Sequence, residues 1–252
     1  MSGHSKWATI HRQKEITDAK RGQTWTKITN SILVAVRATG ITDPEKNFKL
    51  RLAIDKAREA NMPKENIARA IERASGVGSE GEQKWEEVTY EGFGPGGISL
   101  IIQAVTDNNK RTVQDVKNYL ERGGGKLVGP GSVAFQFKQC GLIVLDKPVN
   151  SEEAILKIID LGADDVEEVP EAIEVYTPPD RLEEFKNALS QAGFIVKSYE
   201  LTMKPITPLV ISDPETAKRV LSFMDGLEEL NDVQKVFSNF EISDELANQP
   251  IS

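Results

Sequence analysis

The chain has 252 residues, of which 39% are hydrophobic and 28% charged, and its formal net charge is −8. This composition excludes a largely disordered protein, and the length favours about two or three domains. No apolar run approaches the roughly 20 residues that cross a bilayer, and no apolar stretch follows the N-terminal cations as in a secretory signal, so we expect a cytoplasmic protein with no membrane partner.

The charge is distributed unevenly. Residues 1–75 have a net charge of +7, residues 76–145 of −1 and residues 146–252 of −14. Such a division indicates what the protein binds rather than how it folds.

The first elements are predicted to be helices. TWTKITNSILVAVRATG has apolar residues at helical spacing, and Asp43 with Pro44 then predicts the start of a second helix. A third helix is expected to end at Gly76. Residues 24–75 are therefore predicted to form a small bundle of three helices, followed by a Gly-, Ser- and Glu-rich linker over residues 75–84.

The pattern changes after this linker. ISLIIQAV predicts a strand, KRTVQDVKNYLER a helix, GGGKLVGPGS a loop, and SVAFQF alternates as a strand does.

From residue 141 the order of elements is β-α-β-β-α-β, which is typical of a ferredoxin-like domain. Ser151 and Asp180 are the predicted caps of its two helices. The first strand of such a sheet enters, and the last leaves, at the same end, so the unit can be inserted in another domain. The next segment predicts a strand, a helix and a strand that would complete the sheet begun at residue 85.

The predicted fold class is therefore α+β with three domains. They are an N-terminal helical bundle with a basic arm, a split α/β domain and an inserted, acidic ferredoxin-like domain. Their predicted bounds are residues 1–77, residues 78–134 plus 205–243, and residues 135–204.

Motifs for catalysis do not emerge. His4 and His11 are the only histidines and have no ligand residues at metal-site spacing, and the single Cys140 is predicted to be a buried core residue. GGGKL differs from a phosphate-binding loop because a Leu follows its Lys, and EGFGPGG is predicted to be a tight hairpin or bulge. We expect no enzyme, metal, cofactor or small-molecule substrate.

The N-terminal stretch combines cations with aromatic residues, a pattern that suits nucleic-acid phosphates and exposed bases. The alternative is a solvated, mobile arm. Trp25 is predicted to belong to the helical core and Trp7 to be the better contact. The candidate contacts here are His4, Lys6, Trp7, Arg12, Lys14, Lys20, Arg21 and Lys27.

Further candidate contacts follow. Arg51 and Arg58 share a helix face, and Lys64 and Arg69 stand on the next helix, although these cations could equally form surface ion pairs with nearby acids. In TDNNKRT, two cations at a helix start predict an anion site, with the alternative that both point into water. These two are Lys110 and Arg111, and Arg122 and Lys126 could extend a basic strip.

Six motifs resemble the YebC/PmpR family, whose mitochondrial relatives are translational activators. They are GHSKWATI, DAKRGQTWTKI, ANMPKENIARAI, YEGFGPGG, TDNNKRT and GSVAFQF, in this order and over nearly the whole chain. The resemblance implies three domains, one inserted in another, and a cytoplasmic regulator without enzymatic activity. Members are described as DNA-binding transcriptional regulators or as translation factors that act at the ribosome.

The leading hypothesis is a nucleic-acid-binding regulator of gene expression, with DNA and ribosomal RNA both open as the target. The sequence favours contact with the backbone over base readout. The alternative is a protein-interaction module whose acidic domain binds a basic partner.

Overall fold

The computed structural model describes residues 18–76, 85–243 and 246, and the side chains from residue 22 onward. The chain first forms three helices, α1 (Asp18–Thr39), α2 (Phe48–Glu59) and α3 (Lys64–Ala74). Their apolar faces form one core. Trp25 packs against this core and donates a 3.0 Å hydrogen bond from Nε1 to the carbonyl of Ala60, as expected for a core residue.

The start of α2 differs from the prediction. Asn47 caps this helix, because its Oδ1 accepts from the N–H of Leu50 and its Nδ2 donates to the carbonyl of Ala35 at 2.8 Å. Asp43 caps only a preceding turn, where its Oδ1 accepts from the N–H of Glu45. Asn47 can satisfy two helices at once because its side-chain amide both accepts and donates, whereas the carboxylate of Asp43 can only accept.

The middle part of the chain forms an antiparallel sheet with the strand order β3-β1-β2-β9. Two helices, α4 and α7, pack on one face of this sheet and bury a single apolar core. The bounds of these elements are β1 (Glu86–Phe93), β2 (Ser99–Thr106), α4 (Asn109–Arg122), β3 (Lys126–Val128), α7 (Pro214–Glu228) and β9 (Val233–Ser238).

The third part is a four-stranded antiparallel sheet in the order β5-β6-β4-β7, the ferredoxin-like arrangement expected from the sequence. Phe137 pairs with Pro205, so the chain enters and leaves this unit at adjacent positions. Cys140 is buried in its core. The bounds are β4 (Phe137–Asp146), α5 (Ser151–Asp160), β5 (Asp165–Val169), β6 (Ala172–Thr177), α6 (Leu182–Gln191) and β7 (Val196–Pro205).

Several local predictions were wrong. SVAFQF contains a 3-10 turn over Ala134–Gln136, and only its last residue begins a strand. The predicted loop GGGKLVGPGS contains the short strand β3. The N-caps of α5 and α6 were predicted to be Ser151 and Asp180. In the structure they are the adjacent residues Asn150 and Arg181. Two strands after residue 205 were predicted to complete the sheet begun by β1. Of these, β9 joins that sheet, whereas β8 (Leu209–Ile211) pairs in parallel with β10 (Phe240–Ile242).

The described ranges hold no helix with both the length and the apolar character needed to span a membrane. The same ranges hold no group of three or more His, Cys, Asp or Glu side chains that could bind a metal ion.

Candidate nucleic-acid interface

The basic N-terminal segment leads into α1. The candidates His4, Lys6, Trp7, Arg12 and Lys14 lie outside the described residues. Lys20 and Arg21 lie in the first turn of α1. The N-terminal end of α1 is placed against the middle sheet unit, because Gln23 Nε2 donates to the backbone carbonyl of Glu229.

Lys27 and Arg51 face other parts of the chain. Lys27 Nζ donates to the carbonyl of Glu228, and burial lowers the pKa of this amine. The Arg51 guanidinium pairs at 2.6 Å with Glu183 on the ferredoxin-like unit and at 3.6 Å with Glu45. Both cations therefore have internal partners and do not form part of an outward basic surface.

Arg111 likewise forms ion pairs within the chain. Its guanidinium pairs with Asp232 at 2.8 Å and with Asp107 at 3.0 Å, and hydrogen bonding to Asp232 raises its pKa. The Oδ1 of Asn108 caps the helix by accepting from the Arg111 N–H. The predicted anion site at the start of α4 therefore keeps Lys110, which is exposed, but not the Arg111 guanidinium.

The remaining candidates point outward. Arg58 is 69% exposed and pairs with Asp55 of its own helix at 2.9 Å. Among the described residues, Arg69 bonds only within α3, to the Glu65 carbonyl and to Asn66 Oδ1. Within the ranges that the structure describes, no carboxylate forms an ion pair with the exposed cations Lys64, Arg69, Arg73, Lys110, Arg122 and Lys126.

Long-range ion pairs fasten the helical bundle to the rest of the chain. Lys49 pairs with Glu87 at 2.6 Å, and Lys56 pairs with Glu200 at 2.9 Å. Lys235 of β9 pairs with the same Glu200 at 2.8 Å. Part of the positive charge of the bundle is therefore neutralised within the chain, by acidic residues of the two sheet units.

A cavity of about 850 Å³ lies where the three units meet. Its lining includes Lys27, Lys56, Lys235, Glu200 and Glu228. Burial raises the pKa of Glu228 to about 7. Burial also opposes ionisation of Glu200, but the neighbouring Lys235 and Lys56 ammonium groups hold the pKa of this carboxyl well below its usual range. Because the cations and carboxylates that line this cavity pair with one another, we interpret the cavity as part of a polar interface between the units.

Sequence reasoning missed two features. It did not find the Lys56–Glu200–Lys235 cluster, whose members come from three distant parts of the chain and share no local spacing. It also assigned Phe135 to a strand, whereas this side chain is 71% exposed on the 3-10 turn. The position of this aromatic residue directly after the glycine-rich stretch GPGSVA was the one sequence signal for an exposed turn.

The chain matches two models of one protein family. Residues 5–77 match the TACO1/YebC N-terminal domain, and residues 85–240 match the TACO1/YebC second and third domain. A relative from Roseiflexus castenholzii, named "Probable transcriptional regulatory protein", is 46% identical, with 100% of each chain covered. A relative of the same name from Aquifex aeolicus is 44% identical, with 98% of each chain covered.

A solved structure shows the same fold. The crystal structure of a conserved hypothetical protein from Aquifex aeolicus superposes with a TM-score of 0.81 at 40% identity, and the match covers 94% of this chain and 100% of that one. The family resemblance seen in the six sequence motifs is thereby confirmed. The chain belongs to the TACO1/YebC family.

Proposed function

We propose that this protein is a nucleic-acid-binding regulator of gene expression. The observation that carries the proposal is the division of the cations on the helical bundle. Those that face the sheet units have carboxylate or carbonyl partners, whereas Lys64, Arg69 and Arg73 on α3 are exposed and have no carboxylate partner among the described residues. Exposed cations of this kind bind phosphates and release the counterions that surround a nucleic acid.

The proposed interface extends beyond α3. It includes the basic N-terminal segment, represented by Lys6, Arg12, Lys20 and Arg21, and the exposed cations Lys110, Arg122 and Lys126 of the middle unit. The names of the relatives support a role in transcription, and hence DNA as the first candidate target.

Ribosomal RNA is the second candidate target, which would make the protein a translation factor. The distribution of the exposed cations favours it, because they stand on α3, on both ends of α4 and on β3 rather than on one helix that could enter a major groove. Cations spread over two units suit the contact with phosphates of a folded RNA surface.

The two targets can be distinguished by one pair of binding measurements on the whole chain. A mobility shift with a mixed-sequence duplex DNA is set beside cosedimentation with ribosomes, each over a salt series. We expect binding to one of them that weakens steeply with salt, because several phosphates are neutralised. Binding that does not change with salt, or binding to neither target, would contradict the proposal. Lys157→Gln is the control, since Lys157 lies on the acidic ferredoxin-like unit and pairs with Glu153 at 2.7 Å.

A further inference from the structure

Phe135 is the one exposed aromatic side chain in the described ranges, and 71% of its surface is accessible to solvent. It lies where the chain passes from the middle sheet unit into the ferredoxin-like unit, just before β4. A single exposed apolar side chain is common on protein surfaces, so the order of the backbone that carries Phe135 decides whether the ring can serve a ligand.

The backbone before Phe135 is fixed by a buried carboxylate. Glu91 of β1 is only 7% exposed, and its two oxygens accept hydrogen bonds from the N–H groups of Gly131 at 2.6 Å, Val133 at 2.7 Å and Ala134 at 3.0 Å. Burial opposes the ionisation of Glu91, but these backbone donors outweigh it and lower its pKa. Val133 is fully buried, which anchors the same segment in the core.

The residue after Phe135 is fixed as well. The Oε1 of Gln136 accepts from Ser99 Oγ at 3.0 Å and from Asn239 Nδ2 at 3.2 Å. Its backbone carbonyl accepts from the N–H of Ile206 at 2.8 Å. Both neighbours of Phe135 are thus held by the middle unit, while its ring is directed into solvent. A side chain presented in this way loses little conformational entropy on binding, because its backbone is already ordered.

The segment of chain that carries this ring has a positive net charge. Residues 126–138 contain two lysines and no Asp or Glu, in a chain whose net charge is −8. Both lysines are exposed. Lys138 pairs at 3.4 Å with Asp164, whereas Lys126 has no ion pair with a described carboxylate and is also among the candidate phosphate contacts. Proteins hold single-stranded nucleic acid with exposed aromatic rings in basic surroundings, where a base stacks on the ring and cations contact the backbone.

We propose that Phe135 is a stacking platform for an unpaired nucleobase of RNA, with Lys126 as a flanking phosphate contact. This inference rests on the proposed function and makes it more specific. Stacking within a duplex covers both faces of each interior base, so the platform would select loops, bulges and single strands over paired segments. An apolar contact with a protein would need only a hydrophobic side chain, whereas stacking requires an aromatic ring.

The test compares variants of the whole chain in mobility shifts with two probes, a 20-nucleotide RNA of mixed sequence without internal pairing and the fully paired RNA duplex of the same length. We expect the unmodified chain to prefer the single strand. Phe135→Leu should weaken single-strand binding by about tenfold or more and leave duplex binding unchanged. Phe135→Trp should keep the affinity, and RNA should quench the fluorescence of the added Trp.

The control is Leu156→Ala, because Leu156 is similarly exposed, at 63%, but lies on α5 of the acidic unit. It should leave RNA binding unchanged. If the unmodified chain binds RNA and Phe135→Leu binds equally well, stacking is wrong while the proposed function stands. If the unmodified chain binds neither RNA nor DNA, both proposals fail. If Phe135→Ala loses binding to ribosomes while Phe135→Leu and Phe135→Trp both keep it, the ring makes an apolar contact with a protein and the stacking proposal fails.

Discussion

The carboxylate of Glu200 joins all three parts of the molecule. It stands on β7 and accepts from Lys56 on α2 at 2.9 Å and from Lys235 on β9 at 2.8 Å. Its side chain is 21% exposed, so these interactions are only partly screened by water. Removal of one member of such a cluster leaves the other charges uncompensated, which is the costly outcome for a partly buried ion pair.

We therefore predict that Glu200→Gln lowers the free energy of unfolding by about 1–3 kcal/mol, below the value for a fully buried pair. The folded-state pKa of Glu200 is depressed, so its contribution is complete above the ordinary carboxyl value of 4.5 and is lost as the pH falls toward the folded-state pKa. Urea titrations at several pH values measure this difference between parent and variant. Equal stability of parent and variant at pH 7 would contradict the assigned role.

The matched control is Glu121→Gln. Glu121 pairs with Lys117 at 3.8 Å on the surface of α4, with both side chains about half exposed, at 54% and 49%. An exposed pair of this geometry contributes about 0.5 kcal/mol or less. The control should therefore change the unfolding midpoint far less than Glu200→Gln.

Arg51 shows where residue-level prediction from sequence ends. Its i,i+4 and i,i+8 neighbours Asp55 and Glu59 are visible in the sequence, but its partner Glu183 is 132 residues away. Residue type and helical spacing identify an exposed cation, but they do not show which face the tertiary fold covers. Lys64 and Arg69 have the same sequence character as Arg51 and remain exposed.

At the scale of elements, long periodic segments could be predicted and short irregular ones could not. The β-α-β-β-α-β order follows from the clear alternation of strands with amphipathic helices. SVAFQF alternates because Val133 and Phe137 are both buried, yet the backbone between them forms a 3-10 turn that depends on Glu91, some 40 residues earlier. A local pattern does not reveal a turn that is fixed by a distant side chain.

The glycines of GGGKL have a structural role that their sequence alone left open. A Cβ on Gly125 would lie 2.1 Å from the backbone oxygen of Phe93, where β1 ends beside β3. We predict that Gly125→Ala destabilises the protein by about 1–3 kcal/mol or more, because a backbone atom cannot move aside as a side chain can. Thermal unfolding measures this change. Gly129→Ala is the control, because a Cβ there meets nothing within 4 Å, and a variant pair of equal stability would contradict the packing argument.

At the scale of the whole molecule, the uneven charge has two uses. The acidic residues Glu87, Glu183 and Glu200 hold the basic bundle against the sheet units, and the outward cations of α3 are left for an external ligand. The charge count along the sequence predicted a polyanionic partner, but not that the chain itself supplies part of the negative charge. The three-domain bounds of residues 1–77, 78–134 plus 205–243, and 135–204 stay a prediction.

The most direct test of the central claim is the salt dependence of nucleic-acid binding by the double variant Lys64→Gln and Arg69→Gln. Each phosphate contact contributes a slope of about −0.9 to a plot of log affinity against log salt on a duplex, so we predict that the magnitude of the slope falls by about 2 and that the affinity falls with it. Lys157→Gln on the acidic unit should leave both unchanged. A double variant with the slope and affinity of the parent would contradict the account.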